Sequence, residues 1–425
     1  MTISMIITLA IVVLMIAVII SDKLPFGAPA LIACALLVVC KQVDIATAFT
    51  GFTDKNVIMI MGFMVCTAAL QKTAVIHKLK GVLGGIASKG GVGGFIAIIF
   101  ACMLVGNFVT GTAFYVLIIT IMATIPYNKK LPASQVLLPA AMAPAGWLPN
   151  GAVMMIGIIV SLVSSAGIEA DMSVAKYCLM NVVWSAFYLI YSTVMHRVLP
   201  NHDISDASAE EKEKEKEEEA FVPTLTKFQQ NAVYVLYLIM LVSMMFLQQL
   251  GEVGYALPLL IAGLLLAVGA ISFKEMLGNM FSPVMIMMAS VIGVAEAMSA
   301  TGLSTYLANL IAGLFGSAPS YFLLLMVFGL MTSLMATFTG ASFGSLFVFA
   351  PIGIALCTQF GFNPVPLALV CTRAAWTNYI MPIDGMPALA MGTGKYKLTQ
   401  FWAYTVPLYI LQLLFVSAAA LLLFN

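Results

Sequence analysis

The sequence predicts an all-α polytopic membrane protein built from two inverted repeats, each of five transmembrane helices plus one re-entrant hairpin. Three observations carry this reading. Of 425 residues, 62% are hydrophobic and only 9% charged, whereas a soluble domain keeps about a quarter of its residues charged. Apolar runs recur along nearly the whole chain, many of them near the roughly 20 residues that cross a hydrocarbon core of about 30 Å. Several motifs also return at one fixed shift. Pro29-Ala-Leu-Ile-Ala33 and Pro258-Leu-Leu-Ile-Ala262 lie 229 positions apart, and the same shift pairs Phe52 with Phe281 and Thr110-Gly-Thr-Ala-Phe114 with Thr339-Gly-Ala-Ser-Phe343. A shift held over such a distance marks two halves of one design.

The apolar segments are 3–20, 25–41, 57–71, 92–126, 134–163 and 176–195, then 230–249, 255–271, 283–300, 318–356, 364–391 and 400–424. The first has no preceding Lys or Arg and no cleavage site of small residues, so it is read as a span rather than a leader. The first repeat is placed at 1–200 and the second at 230–425. Between them, 201–229 contains Glu210-Glu-Lys-Glu-Lys-Glu-Lys-Glu-Glu-Glu219, a block that cannot enter a bilayer and reads as a solvated linker. Segments 92–126 and 318–356 are too long for one span, and each has Thr-Gly midway. Two short helices forming a hairpin are expected there. Segments 134–163 and 364–391 carry Pro144-Ala-Gly-Trp-Leu-Pro-Asn-Gly151 and Met381-Pro-Ile-Asp-Gly-Met-Pro387. Proline removes a backbone donor, so these are expected to be broken spans whose freed carbonyls line a cavity or are buried in protein.

The positive charges set the expected orientation. With both termini outside and the linker cytoplasmic, the inner side receives Lys23, Lys72, Lys78, Lys80, Lys89, Lys129, Lys130, Arg197, Lys274, Lys395 and Lys397. The outer side keeps Lys41, Lys55 and Lys176. Such asymmetry is what the positive-inside rule requires. Five spans in a half is an odd number, so the second half is expected to be inverted, the pattern of secondary transporters.

A hairpin tip aims the N-terminus of its returning helix at mid-membrane, where free N–H groups and the helix dipole attract an anion. The substrate set expected is Thr110, Gly111, Thr112, Thr339, Gly340, Ala341 and Ser342, with Pro149 and Pro382 of the breaks. A coupling cation, Na+, is expected at Asn107, Asn150, Gly151, Thr377, Asn378, Asp384 and Gly385. A carboxylate such as Asp384 inside an apolar run is expensive without a role or a partner; the alternative is an ion pair with Arg373. Gly340-Ala-Ser-Phe-Gly344 has the spacing of a hydrolase elbow, but that motif needs a strand and a histidine. Here His77, His196 and His202 lie toward the segment ends. The seven cysteines form no C-x-x-C pair and read as small packing residues. No enzyme activity, organic cofactor or nucleic-acid partner is expected.

Ser21-Asp-Lys-Leu-Pro25, Gly51-Phe-Thr-Asp54, Ala68-Ala-Leu-Gln-Lys-Thr73, Leu131-Pro-Ala-Ser-Gln-Val-Leu-Leu-Pro139 and Gly392-Thr-Gly-Lys-Tyr396, with the second break, resemble the divalent anion–sodium symporter family, the solute-carrier-13 type, of the ion-transporter superfamily. The resemblance covers nearly the whole chain. It implies an elevator-type homodimer in a bacterial inner membrane, moving a di- or tricarboxylate or sulfate with Na+. That family's tips carry Ser-Asn-Thr, where this chain has Thr110-Gly111-Thr112 and Thr339-Gly340-Ala341. An exchanger or H+-coupled carrier of another anion, or a passive channel, are the alternatives.

Overall fold

The computed structural model describes residues 1–21, 23–25, 27–74, 91–108, 118, 132–170, 172–204, 225–315, 320–339, 342–377, 379–381 and 385–425. These are helix, turn and loop, with no strand among the described residues. In the first half the helices are α1 (Ile3–Ser21), α2 (Ala28–Val39), α3 (Ile45–Ala48), α4 (Lys55–Gln71), α5 (Gly91–Val105), α6 (Ala133–Ala141), α7 (Pro149–Ser164) and α8 (Val174–Met195). In the second they are α9 (Lys227–Met245), α10 (Leu247–Leu250), α11 (Glu252–Ala267), α12 (Phe273–Met280), α13 (Pro283–Ala300), α14 (Leu303–Phe315), α15 (Tyr321–Thr339), α16 (Ser342–Phe360), α17 (Pro364–Ala375), α18 (Gly385–Gly394) and α19 (Leu398–Phe424). The chain is an all-α membrane protein. Five described helical stretches are long and apolar enough to cross a bilayer alone: Val174–Val198, Phe273–Ala300, Tyr321–Phe338, Ser342–Phe360 and Leu398–Phe424.

Local chemistry starts the helices. Asp54 caps α4 by accepting from the N–H groups of Asn56 (2.9 Å) and Val57 (3.0 Å), and Ser161 of α7 donates to the same carboxylate oxygen at 3.0 Å. One cap thus also ties two helices. Thr226 and Ser272 open α9 and α12 with reciprocal capping boxes, which satisfy donors that a helix start leaves free. Proline stands at the first turn of α7, α13 and α17, where its missing N–H costs nothing.

The two halves interlock by reciprocal pairs. Helix α2 packs on α13 while α4 packs on α11; at the 229-residue shift α2 matches α11 and α4 matches α13. The same holds for the broken spans, since α7 packs on α17 and α6 on α18. The crossing of α4 and α11 is very close. A Cβ on Gly62 would lie 2.4 Å from the backbone of both Pro258 and Leu259. The arms α15 and α16 lie against each other and have 19 residues each, longer than the short arms expected from the sequence.

Side-chain contacts sort the helix ends onto two faces. On one face Ser4 bonds Gln42 at 2.6 Å, Lys55 sits 5.0 Å over the Tyr255 ring, and Lys176 donates to the Leu423 carbonyl at 3.0 Å. On the other, Lys72 pairs with Glu275 at 2.5 Å, Gln229 reaches the carbonyls of Val268 and Gly269, and Ser134 reaches those of Pro200 and His202. Lys41, Lys55 and Lys176 fall at the first face; Lys23, Lys72, Arg197, Lys227, Lys274, Lys395 and Lys397 fall at the second.

Gly62→Ala should lower the thermal midpoint of the detergent-purified protein, because the added methyl meets backbone that cannot rotate away; overpacking of this kind costs about 1–3 kcal/mol. Gly263→Ala on α11, where nothing lies within 4 Å of the new Cβ, should leave the midpoint unchanged or raise it. Equal melting of both variants would show that the α4–α11 crossing is not a tight constraint.

Candidate functional site

The site lies at the break between α6 and α7. Residues 142–148 leave the helical path, and Pro144 and Pro149 bring no N–H. The remaining donors of the break must find acceptors, since the bilayer core offers none. Asn107, just beyond the end of α5, supplies one. Its Oδ1 accepts from the N–H of Gly146 at 3.0 Å and of Leu148 at 3.1 Å, and its Nδ2 donates to the Met103 carbonyl at 2.8 Å. All of its side-chain bonding capacity except one amide hydrogen is therefore used. Trp147 Nε1 donates to the same Met103 carbonyl at 3.2 Å. The end of α5 is thereby fastened to the break; the rest of the hairpin expected over 92–126 lies outside the described residues except Ile118.

Asn150, in the first turn of α7, continues the network. Its Nδ2 donates to the Asn107 carbonyl, and its Oδ1 accepts from the hydroxyl of Tyr237 on α9. Gly151 follows for a steric reason, because a Cβ there would lie 2.7 Å from Asn107 Oδ1. Gly146 has φ 85°, a left-handed conformation that a side chain resists. A Cβ on it would come within 3.7 Å of Asn181 Nδ2 and Tyr177 Cε1 on α8. Asn181 Oδ1 and Tyr177 Oη are buried without a hydrogen-bond partner.

The second break, between α17 and α18, repeats the fastening with other groups. Ser333 of α15 donates to the carbonyl of Thr377 at 3.0 Å. Thr377 Oγ1 donates to the Arg373 carbonyl at 2.7 Å and accepts from Gln412 Nε2 of α19 at 3.1 Å. In both halves a polar residue at or beyond a neighbouring helix, Asn107 after α5 and Ser333 on α15, holds the backbone where the broken span unwinds. At the face with few lysines, a cavity of about 260 Å³ is lined by α7, α13, α14 and α16. Its polar lining is Ser165, Ser299, Ser304, Thr305, Thr358 and Gln359, hydroxyl and amide groups without charge.

Of the residues expected from the sequence, Asn107, Pro149, Asn150 and Gly151 come together at the first break. Thr377 lies at the second, buried. Ser342 opens α16 and is half-buried; Thr339 closes α15 and Gly385 opens α18. Thr110, Gly111, Thr112, Gly340, Ala341, Asn378, Pro382 and Asp384 lie outside the described residues. The sequence reading missed Tyr237, Asn181, Ser333 and Gln412. Asn181 and Gln412 stand inside apolar runs as Asp384 does, and the same argument from the cost of polarity in a bilayer would have found them.

This is the architecture of a multi-pass α-helical transport protein of the ion-transporter superfamily, with broken spans braced at mid-bundle and no catalytic constellation among the described residues. The family model described as citrate transporter matches residues 15–261, and that described as Na+/H+ antiporter family matches residues 153–425, in each case more than half of the chain. The chain belongs to the citrate transporter family and, by the same measure, to the Na+/H+ antiporter family. It is 25% identical over 158 residues to an uncharacterized transporter of Synechocystis sp., a stretch that takes in 37% of this chain and only 26% of that protein. Its fold is similar to the crystal structure of the YdaH transporter of Alcanivorax borkumensis, with a TM-score of 0.59 over 99% of this chain and 97% of that one, at 15% identity.

Asn107→Ala should leave the N–H groups of Gly146 and Leu148 unbonded in the bundle. Each unsatisfied buried donor costs about 1–3 kcal/mol, so the thermal midpoint should fall by several degrees. Tyr237→Phe removes one hydrogen bond and leaves Asn150 Oδ1 without it, and should cost less. A larger loss in Tyr237→Phe than in Asn107→Ala would refute Asn107 as the main brace.

Proposed function

We propose that the chain is a secondary active transporter of a small anion, a di- or tricarboxylate such as citrate, coupled to Na+ and working by elevator-type alternating access. The observation that carries this reading is the pair of unwound spans, each fastened to a hairpin arm and each placed beside the partner half's span. Unwound backbone at membrane depth is tolerated where it lines a ligand site. The citrate transporter description of the family supports the substrate class, and the resemblance of the first subsection supports Na+. The reciprocal packing supports two inverted repeats, placed at 1–200 and 230–425 with a cytoplasmic linker at 201–229. It also supports a frame of α2, α4, α11 and α13 against which the hairpins and broken spans move as a body. The cavity of about 260 Å³ between α13 and α16 is then the outer approach to the site. A homodimer in a bacterial inner membrane completes the proposal.

The two ligand sets keep separate roles in this reading. The helix starts at the hairpin tips, Thr110 to Thr112 and Thr339 to Ser342, with Pro149 and Pro382, take the anion. Carbonyl and amide oxygens at Asn107, Asn150, Gly151, Thr377, Asn378, Asp384 and Gly385 take the cation. Asn107 Oδ1 is occupied by two N–H groups here, so its contribution to a cation is its backbone carbonyl. A second reading, Na+/H+ exchange without an organic anion, is favoured by the Na+/H+ antiporter match over 153–425.

Proteoliposomes separate the two. Citrate uptake should saturate, show counterflow and rise steeply with an inward Na+ gradient, and Asp384→Asn should weaken the Na+ dependence more than the affinity for citrate. Proton movement on addition of Na+ alone, with no uptake of citrate, succinate or sulfate under any gradient, would replace this reading by the second.

Orientation is tested independently. In a variant without native cysteines, Lys41→Cys should react with a membrane-impermeant maleimide in intact cells, and Lys227→Cys only after the membrane is opened. The reverse pattern would overturn the assignment of both faces.

A further inference from the structure

The second break holds a charged group that neither ligand set uses. Arg373 stands in the last turn of α17, nine residues inward from Pro364, which at 1.5 Å per residue is roughly 13 Å along the helix. Its guanidinium is a planar fork of five N–H donors with no acceptor. A charge at such depth in a membrane bundle is kept for a partner or a function. The C-terminal end of α17 favours a cation, but the helix dipole is a modest term beside the loss of hydration. Among the described residues no carboxylate lies within ion-pair distance of Arg373, and its Nε is buried without a hydrogen-bond partner.

Arg373 lines a narrow cleft between α17 and α19 together with Thr377, Tyr409 and Gln412. Two more polar atoms of these residues lack partners in the same way, Tyr409 Oη and Gln412 Oε1, although Tyr409 and Gln412 are only 5% and 6% exposed. The Gln412 amide is oriented by its Nε2, which donates to Thr377 Oγ1 at 3.1 Å. The free volume in the cleft is about 10 Å³, close to what one water needs when two to four polar groups surround it. A water there would accept from Arg373 Nε–H and the Tyr409 hydroxyl and donate to Gln412 Oε1. All three orphans would then be satisfied at once. The cleft is too small for an organic anion, so the Nε edge of the guanidinium is spent on water. The edge formed by Nη1 and Nη2 is left, and its planar fork matches a carboxylate.

We propose that Arg373 binds a carboxylate group of the transported anion, and that Tyr409 and Gln412 hold it in place through a water in the α17–α19 cleft. Asn150 opens α7, Arg373 ends α17, and these two helices pack against each other, so the guanidinium belongs to the braced breaks. The inference rests on the proposed transport of a small carboxylate and adds its fixed positive charge.

The test measures citrate binding to the purified full-length protein by calorimetry, and citrate uptake in proteoliposomes. Arg373→Gln should weaken binding about 100-fold, the consequence of removing one partner of a desolvated charge pair. Arg373→Lys keeps the charge without the fork and should weaken it about tenfold. Gln412→Leu should raise KM several-fold with kcat retained in the folded protein, a split that a merely structural role would not produce. Wild-type affinity in folded Arg373→Gln or Arg373→Lys overturns the proposal. So does a loss of folded yield in Arg373→Gln that Asp384→Asn restores, since Arg373 would then be half of an internal ion pair. If the wild type itself binds no citrate, succinate or sulfate, the transport reading fails first, and the two failures are distinguished before any variant is made.

Discussion

A bilayer supplies no hydrogen bonds, and from that constraint most of this structure follows. A helix meets it alone, because each N–H finds a carbonyl within the segment. An unwound stretch cannot. At 142–148 two of the donors left by the break, the N–H groups of Gly146 and Leu148, are taken by one carboxamide, Asn107, and the amide of Asn150 then takes the Asn107 carbonyl. The second break solves the same problem with hydroxyls: Ser333 for one carbonyl, Thr377 for another. The cost of breaking a span is thus offset by polar side chains brought from a neighbouring hairpin arm.

The same economy explains why the helices cross so closely. Lipid tails are as apolar as leucine, so helices in a membrane gain little from hiding apolar surface and depend on close packing. Gly62 on α4 lets that helix touch the backbone of α11, and Gly293 on α13 lies where a Cβ would stand 1.9 Å from the Ala48 carbonyl. These contacts tie the first half to the second rather than each half to itself. The braced breaks meet α13 and α14 less closely, and a cavity of about 260 Å³ lies among α7, α13, α14 and α16.

Charge lies mostly at helix ends, and among the described residues Arg373 of α17 and Glu296 of α13 are half-buried within the bundle. Lys72 and Glu275 pair at one face, and Lys55 lies over Tyr255 at the other. An exposed pair of this kind contributes little stability, but its position at a helix end fixes which face that end belongs to. The lysines therefore serve as markers of topology more than as sources of stability. Uncharged polar groups go where charge does not, onto the lining of the cavity between α13 and α16 and the faces of α8 and α19 toward the breaks.

The sequence by itself determined the class, since so few charges and so many apolar runs permit only a membrane protein, and the clustered prolines and glycines of 144–151 and 382–387 pointed to interrupted helices, whereas the lone prolines Pro258, Pro351 and Pro407 stay inside continuous ones. It also pointed to Asn107, Asn150, Gly151 and Thr377, because a polar side chain in an apolar run has to be satisfied by something nearby. What it could not decide was by what. That Asn107 serves Gly146 and Leu148, that Tyr237 closes the network from the other half, and that Gln412 meets Thr377 depend on which helices are neighbours. Neighbours are set by the crossings of helices 35 or more positions apart in sequence, and those crossings are chosen by small residues whose partners no local pattern reveals. Gln412 is a polar residue in an apolar run and so needs a partner, and Ser333 reads as an ordinary polar residue; only the fold makes them the supports of a break. The length of each hairpin arm was likewise settled by packing, since α15 and α16 gain contact with each other and with α17 by running on past the short helices that an isolated hairpin would need.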